Sequence, residues 1–169
     1  MIRLESVLSS WKAIREDTAQ AVEDFSDRDL NYKPTAEVMS FGEIARHILE
    51  AGHALTGLML EGVDNLATPQ FPEMRARQIA QLPKTESAGA LARELRSQLD
   101  KRAAELSAKP ADFYAGEVTR FDGQRVTRLE MLQMLKEHEL THRANLFMYL
   151  RLQGMVPPTT RRRLAKANA

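Results

Sequence analysis

Four stretches of this sequence repeat apolar residues at the three- and four-residue spacing of an amphipathic α-helix. In the first, Leu4, Val7, Leu8, Trp11, Ile14, Val22 and Phe25 share a stripe, predicting a helix over residues 2–26. Ser40 with Glu43 is a capping box that opens the second; Phe41, Ile44, Ala45, Ile48, Ala51, Leu55 and Leu58 follow until Gly62. The third spans 87–108 on Leu91, Leu95, Leu99 and Leu106, and Pro110 closes the region. Thr127 with Glu130 opens the fourth, over 127–153, which Gly154 ends before Pro157 and Pro158. Each stripe has to be buried against another element, and four of them predict an all-α four-helix bundle.

The connections are long. Residues 27–39, with Pro34, read as a loop, and Pro69, Pro72 and Pro83 leave room only for a short helix near 73–82. Residues 118–121 and 125–127 flank Asp122-Gly123, the signature of a small β-hairpin before the last long helix. Residues 158–169 form a basic C-terminal tail, with a helical turn or two expected at 159–167. The whole of 1–169 is expected to be a single domain.

Composition excludes several classes of function. There is no cysteine, so disulfides and a protein-borne thiol nucleophile are impossible, and a reducing compartment is compatible. No apolar run approaches the roughly 20 residues of a membrane span, and the alternating start Met1-Ile2-Arg3-Leu4-Glu5 lacks a signal-peptide core. A cytoplasmic protein is the expectation. From Arg143 onward there are six basic residues and no acidic one, leaving 18 basic against 23 acidic upstream. With no aromatic residues among the tail's charges, and a net charge of +1, this predicts a solvated end and no nucleic-acid partner.

Two of the four histidines, His138 and His142, sit four residues apart in the fourth segment. On a helix they lie about 40° apart, in the sector of Met131, Leu135, Leu146 and Tyr149, and so face the bundle interior. Two buried imidazoles side by side need compensation. Either they converge on a metal ion or they are a hydrogen-bonded structural pair. A third metal ligand is available at His47, at the edge of the second stripe, whereas His53 falls nearly opposite that stripe and reads as a surface residue. The stretch His138-Glu139-Leu140-Thr141-His142 also spells H-E-x-x-H, the zinc-protease signature. Such proteases take their third ligand downstream of the second histidine, and no Glu, Asp or His follows His142. The match is therefore read as accidental.

Two blocks carry a family resemblance. Ser40-Phe41-Gly42-Glu43-Ile44-Ala45-Arg46-His47-Ile48 and His138-Glu139-Leu140-Thr141-His142-Arg143, followed by Tyr149-Leu150-Arg151-Leu152-Gln153-Gly154 and Pro157, resemble the DinB/YfiT-like family of metal-binding four-helix bundles. The resemblance in layout covers residues 4–158. It implies a metal site at His47, His138 and His142, with zinc or nickel as the ion, and in some relatives a low-molecular-weight thiol such as mycothiol or bacillithiol as cosubstrate. Homodimers are common in such a family. One departure is Asn145, where a Gln often follows the last His-Arg pair.

Three functions compete on these residues. The leading one is a metal-dependent enzyme transferring a small thiol to an electrophilic small molecule, with Glu139 as the candidate catalytic carboxylate and, as its plainer alternative, a solvent-facing or salt-bridging helix residue. The second is a metal-dependent hydrolase. The third is a non-catalytic, metal-stabilised stress or interaction module. Arg46 and Arg143, each adjacent to a candidate ligand, are read first as surface ion-pairing residues and second as contacts for an anionic substrate.

Overall fold

The computed structural model describes residues 3–25 and 27–167; the expected helix ends at 2 and 26, and the last two residues of the tail, lie outside them. Four long helices carry the fold: α1 (Leu4–Asp24), α2 (Phe41–Leu60), α4 (Ala88–Ser107) and α6 (Arg128–Leu152). Their starts are set by local chemistry. The Ser40 and Thr127 hydroxyls accept the Glu43 and Glu130 amides at 3.2 Å each, and both glutamates reach back to the cap amides, at 2.6 and 2.7 Å. Ser87 caps α4 in the same sense, accepting from the Ala90 amide at 3.1 Å. Gly62 and Gly154, just past α2 and α6, have φ of +82° and +74°, the left-handed conformation that ends a helix at little cost with glycine.

Helix directions follow from cross-helix pairs. Lys12 meets Asp100 and Glu16 meets Arg96, so α1 and α4 run antiparallel. Arg15 meets Glu139 and Asp17 meets Arg143, so α1 and α6 run parallel. Arg46 reaches the Thr85 carbonyl ahead of α4 while His53 lies against Arg102, making α2 parallel to α4. The bundle is therefore up-down-down-up, with α1 and α2 each packed on both α4 and α6 and diagonal to one another. Two successive helices pointing the same way need a return connection. Residues 61–87 supply it, and they include α3 (Phe71–Ile79), which packs along α2.

The base of the bundle is closed by α5 (Ala111–Ala115) and a hairpin of β1 (Glu117–Thr119) and β2 (Arg125–Thr127), antiparallel with Val118 opposite Val126. Gly123, at φ +82°, makes the turn between the strands. Leu66 donates to the Thr119 carbonyl at 2.7 Å, fastening the hairpin to the crossover. The strand expected over 118–121 is shorter and starts one residue earlier, and the short helix expected at 73–82 begins at Phe71. Neither α5 nor its start after Pro110 was expected.

Apolar burial comes in two clusters. One gathers Val22, Phe25, Phe41, Ile44, Ile48, Leu91, Leu146 and Leu150, with Phe25 stacked on Phe41 at 3.8 Å. The other gathers Trp11, Leu58, Leu99, Leu106, Met131 and Leu132. Between the levels of these clusters lie the buried polar residues Arg15, Thr18, His53, Arg102 and Glu139.

The tail is exposed over residues 161–167, as expected of a solvated end, but it is also anchored. Residues Pro158–Ala167 form helix α7, and it is docked by charge: Arg161 pairs with Asp24 at 2.6 Å, and Arg162 pairs with Asp17. Two acidic side chains of α1 thus receive the tail's surplus positive charge.

Candidate metal centre

His47 enters from the second turn of α2, and His138 and His142 from successive turns of α6. Antiparallel packing of these two helices brings all three rings together: ring centroids are 4.9 Å apart for His47–His138, 4.7 Å for His47–His142 and 4.5 Å for His138–His142. One nitrogen from each lies within 4.8 Å of the others, and the Nε2 atoms of His47 and His138 are 3.0 Å apart. Nitrogens bound tetrahedrally to zinc at about 2.0–2.1 Å would stand roughly 3.3 Å from each other, so closing on an ion takes small ring movements. Nδ1 of His142 is buried with no hydrogen-bond partner among the described residues. A donor set of three imidazoles with an orphaned nitrogen fits a divalent ion of the zinc or nickel type.

Electrostatics keep the rings in the ligand-competent form. Partial burial depresses all three imidazoles below their ordinary range. For His138, burial is reinforced by the positive charge His142 and His47 would carry, which outweighs Glu139 and holds it at about 4. The Arg75 guanidinium adds to burial at His47, against an opposing pull from Glu50. The trio is neutral at pH 7.

Glu139 points elsewhere. One residue beyond His138 is about 100° around the helix, which turns its carboxylate to α1. Only 2% exposed, it accepts hydrogen bonds from Trp11 Nε1 at 2.6 Å, Arg15 Nε and Nη2 at 2.8 Å each, and Thr18 Oγ1 at 3.1 Å. Arg15 Nη1 donates to the Leu95 carbonyl at 2.7 Å, so the same group ties α1, α4 and α6 together. The expected solvent-facing placement does not hold, because α1 covers this side of α6; the salt-bridging alternative does.

His53 is buried, not at the surface, with 3% exposure. The side of α2 opposite its main stripe is covered by α3 and α4, and there His53 Nε2 lies 3.2 Å from Arg102 Nη2, which also donates to Gln78 Oε1 at 3.2 Å. Gly57 passes so close to this cluster that a Cβ would overlap the Gln78 amide. Burial and the Arg102 charge lower the His53 pKa. Of the arginines beside the ligands, Arg143 pairs with Asp17 at 3.0 Å and Arg46 donates to the Thr85 carbonyl at 3.4 Å. Asn145 is exposed.

Beside His47 and His138 opens a cavity of about 380 Å³ whose walls include Leu55, Phe71, Phe121, Met134 and Leu135. Arg75 from α3 and Arg120 from the hairpin also line it. Sequence reading did not bring Phe71, Arg75, Arg120 or Phe121 to the site, because the crossover and hairpin carry no periodic signal aimed at the histidines. An aromatic residue beside the Asp122-Gly123 turn was the one hint.

Comparison with known proteins places this arrangement. YjoA of Bacillus subtilis (strain 168) is 27% identical over 156 residues, 91% of this chain and 93% of that protein. Its crystal structure, described as a DinB-like protein, superposes with a TM-score of 0.68 over 89% of this chain and 93% of that one. YfiT of Bacillus subtilis, described as a probable metal-dependent hydrolase with an unusual four-helix bundle topology, gives a TM-score of 0.69 at 15% identity, covering 92% and 91%. A mycothiol-dependent maleylpyruvate isomerase gives 0.63 at 15% identity, over 86% of this chain but 61% of the isomerase. The last two likenesses establish the fold. The sequence model of the DinB family matches residues 1–168, and with it the chain belongs to the DinB family.

Proposed function

We propose that His47, His138 and His142 hold one divalent ion, zinc or nickel, and that the protein transfers a low-molecular-weight thiol to a small electrophile. The observation supporting this reading is the convergence of three neutral imidazoles, two of which, His47 and His138, line an apolar cavity. A divalent ion held by these three imidazoles would lower the pKa of a thiol or water brought to it.

The chain's own residues supply the rest. His47, His138 and His142 present lone pairs at neutral pH because burial opposes their protonation. Leu55, Met134 and Leu135 exclude water beside the trio, which strengthens electrostatic interactions there. Arg75 places a cation near His47, where it favours negative charge arriving with a substrate. The nucleophilic sulfur has to come from a cosubstrate, since the chain has no cysteine. Glu139 acts as a positioning residue for α6, because its oxygens are engaged by Trp11, Arg15 and Thr18.

One observation favours hydrolysis as the second reading. Glu50, on α2 one turn beyond His47, is near enough to raise the His47 pKa and is partly exposed, so it can take a proton from water. The neighbours of this fold include proteins described with each chemistry, a probable metal-dependent hydrolase and a mycothiol-dependent isomerase. A homodimer fits the same reading, with Met148 and Leu152 of α6, 54% and 55% exposed, offering apolar surface to cover.

Metal analysis of purified protein comes first, followed by a panel of small thiols with chlorodinitrobenzene as a generic electrophile. Turnover requiring both metal and thiol supports transfer, and ester hydrolysis requiring metal alone supports the second reading. Tight metal binding with strong thermal stabilisation and neither activity leaves the non-catalytic module.

A further inference from the structure

The cavity beside the histidines has an unbalanced lining. Its walls are largely apolar, yet two arginines, Arg75 and Arg120, line it and, among the described residues, no Asp or Glu does. Each arginine has an acidic neighbour outside the lining: Glu50 lies 3.3 Å from Arg75, and Asp122 lies 2.8 Å from Arg120. Neither partner uses up the donors of a guanidinium, which has five N–H groups. Arg120 Nε is buried without a hydrogen-bond partner among the described residues. Phe121 flanks the cavity while 52% exposed, stacked on Phe71 with ring centroids 6.1 Å apart and planes 18° from parallel. Such an aromatic pair is a surface for a flat apolar group. The hairpin turn that carries Arg120 and Phe121 is braced by backbone hydrogen bonds from Arg120 to Gln124 at 2.8 Å and from Gly123 to Arg120 at 2.9 Å, so both side chains are presented from a fixed backbone.

Resting on the metal-site reading above, we infer that the substrate of this site is an amphipathic monoanion, an aryl- or alkyl-bodied carboxylate whose apolar part lies against Phe71, Phe121 and Leu55 while Arg75 and Arg120 take its charge. A volume of about 380 Å³ suits a small molecule of this kind and falls in the range of roughly 300–1,000 Å³ usual for ligand cavities. A neutral apolar molecule would make no use of the guanidinium donors that Glu50 and Asp122 leave over. A small polar anion would leave the aromatic pair uncovered.

The test is isothermal titration of the full chain, zinc-loaded and chelator-treated, with phenylbutanoate, phenylbutanol, phenylbutylamine and butanoate. Phenylbutanoate is expected to bind at least about tenfold more tightly than the other three, the scale of one charge-assisted hydrogen bond. The double variant Arg75→Gln with Arg120→Gln should erase the advantage over phenylbutanol and leave phenylbutanol itself unchanged. Phe121→Ala, at an exposed position, should weaken all three phenyl compounds and spare butanoate. Equal binding of the four probes, or a preference that survives loss of both arginines, overturns the inference. Zinc content measured on the same samples separates the two readings. Selective phenylbutanoate binding in protein that never holds zinc upholds the cavity and removes the metal centre; zinc-loaded protein without that selectivity does the reverse.

Discussion

Arg15 grips Glu139 with two parallel hydrogen bonds, Nε to Oε1 and Nη2 to Oε2, each 2.8 Å long, with both side chains at most 4% exposed. The pair joins the first and last long helices immediately beside a candidate metal ligand. It is flanked by Trp11 and Thr18, so every lone pair facing α1 has a partner. Removing one member would strand the other charge in the core. Glu139→Ala is expected to cost about 3–5 kcal/mol, measured as a shift in the urea unfolding midpoint. If Glu139 serves position rather than proton transfer, the folded variant should still bind stoichiometric zinc. Wild-type stability with abolished turnover would instead make it the catalytic carboxylate.

Loss of any one imidazole would leave the proposed ion with only two protein donors. His47→Ala and His142→Ala should each lower zinc content by at least about tenfold, the lower end of what disturbing a metal site costs, as read by elemental analysis after dialysis. His53→Ala belongs to a different cluster and should retain the metal while losing stability. A His53 variant that loses metal as completely as His142→Ala would contradict the assignment of ligands.

Acid should weaken the metal-free protein through these same rings. His138 is held at about 4 in the fold against an unfolded value near 6.5, so the unfolded chain binds the proton first. Its contribution to stability is complete above about pH 6.5 and fades as pH falls towards 4. His47, His142 and His53 shift in the same direction. Thermal unfolding of chelator-treated protein from pH 7.5 to 4 should show this decline, and His138→Gln should flatten it.

Gly57 sits where α2, α3 and α4 meet, and a side chain there would displace the Gln78 amide and Arg102 guanidinium. Since Gln78 is only 2% exposed, it has little room to move. Gly57→Ala should therefore destabilise by about 1–3 kcal/mol, the usual cost of overpacking, although alanine is the better helix former. Equilibrium unfolding in urea measures it.

Much of this was legible in the sequence, for physical reasons that differ by residue. The capping boxes at Ser40 and Thr127 are local chemistry, so they located two helix starts within a residue. The i, i+4 spacing fixed His138 and His142 on one face without any tertiary knowledge. His53 misled because a stripe analysis assumes one buried side, whereas α2 is covered by α3, α4 and α6. Glu139 stood next to a ligand in sequence, but helical rotation carried it to another interface. The docking of α7 on Asp17 and Asp24, and the arrival of Arg75 and Phe121 at the cavity, depend on contacts between distant segments that no local pattern encodes.

The diagonal placement of α1 and α2 has a consequence for the order of events during synthesis. His47 and His138 are 91 residues apart, and α3, α4, α5 and the hairpin all lie between them. A growing chain carries one of the three imidazoles long before the other two exist, and it cannot bring them together until its last long helix is made. Until then α2 lacks one of the three helices that cover it. The trio is therefore absent from every fragment that ends before His142, whether a ribosome or a protease leaves it behind.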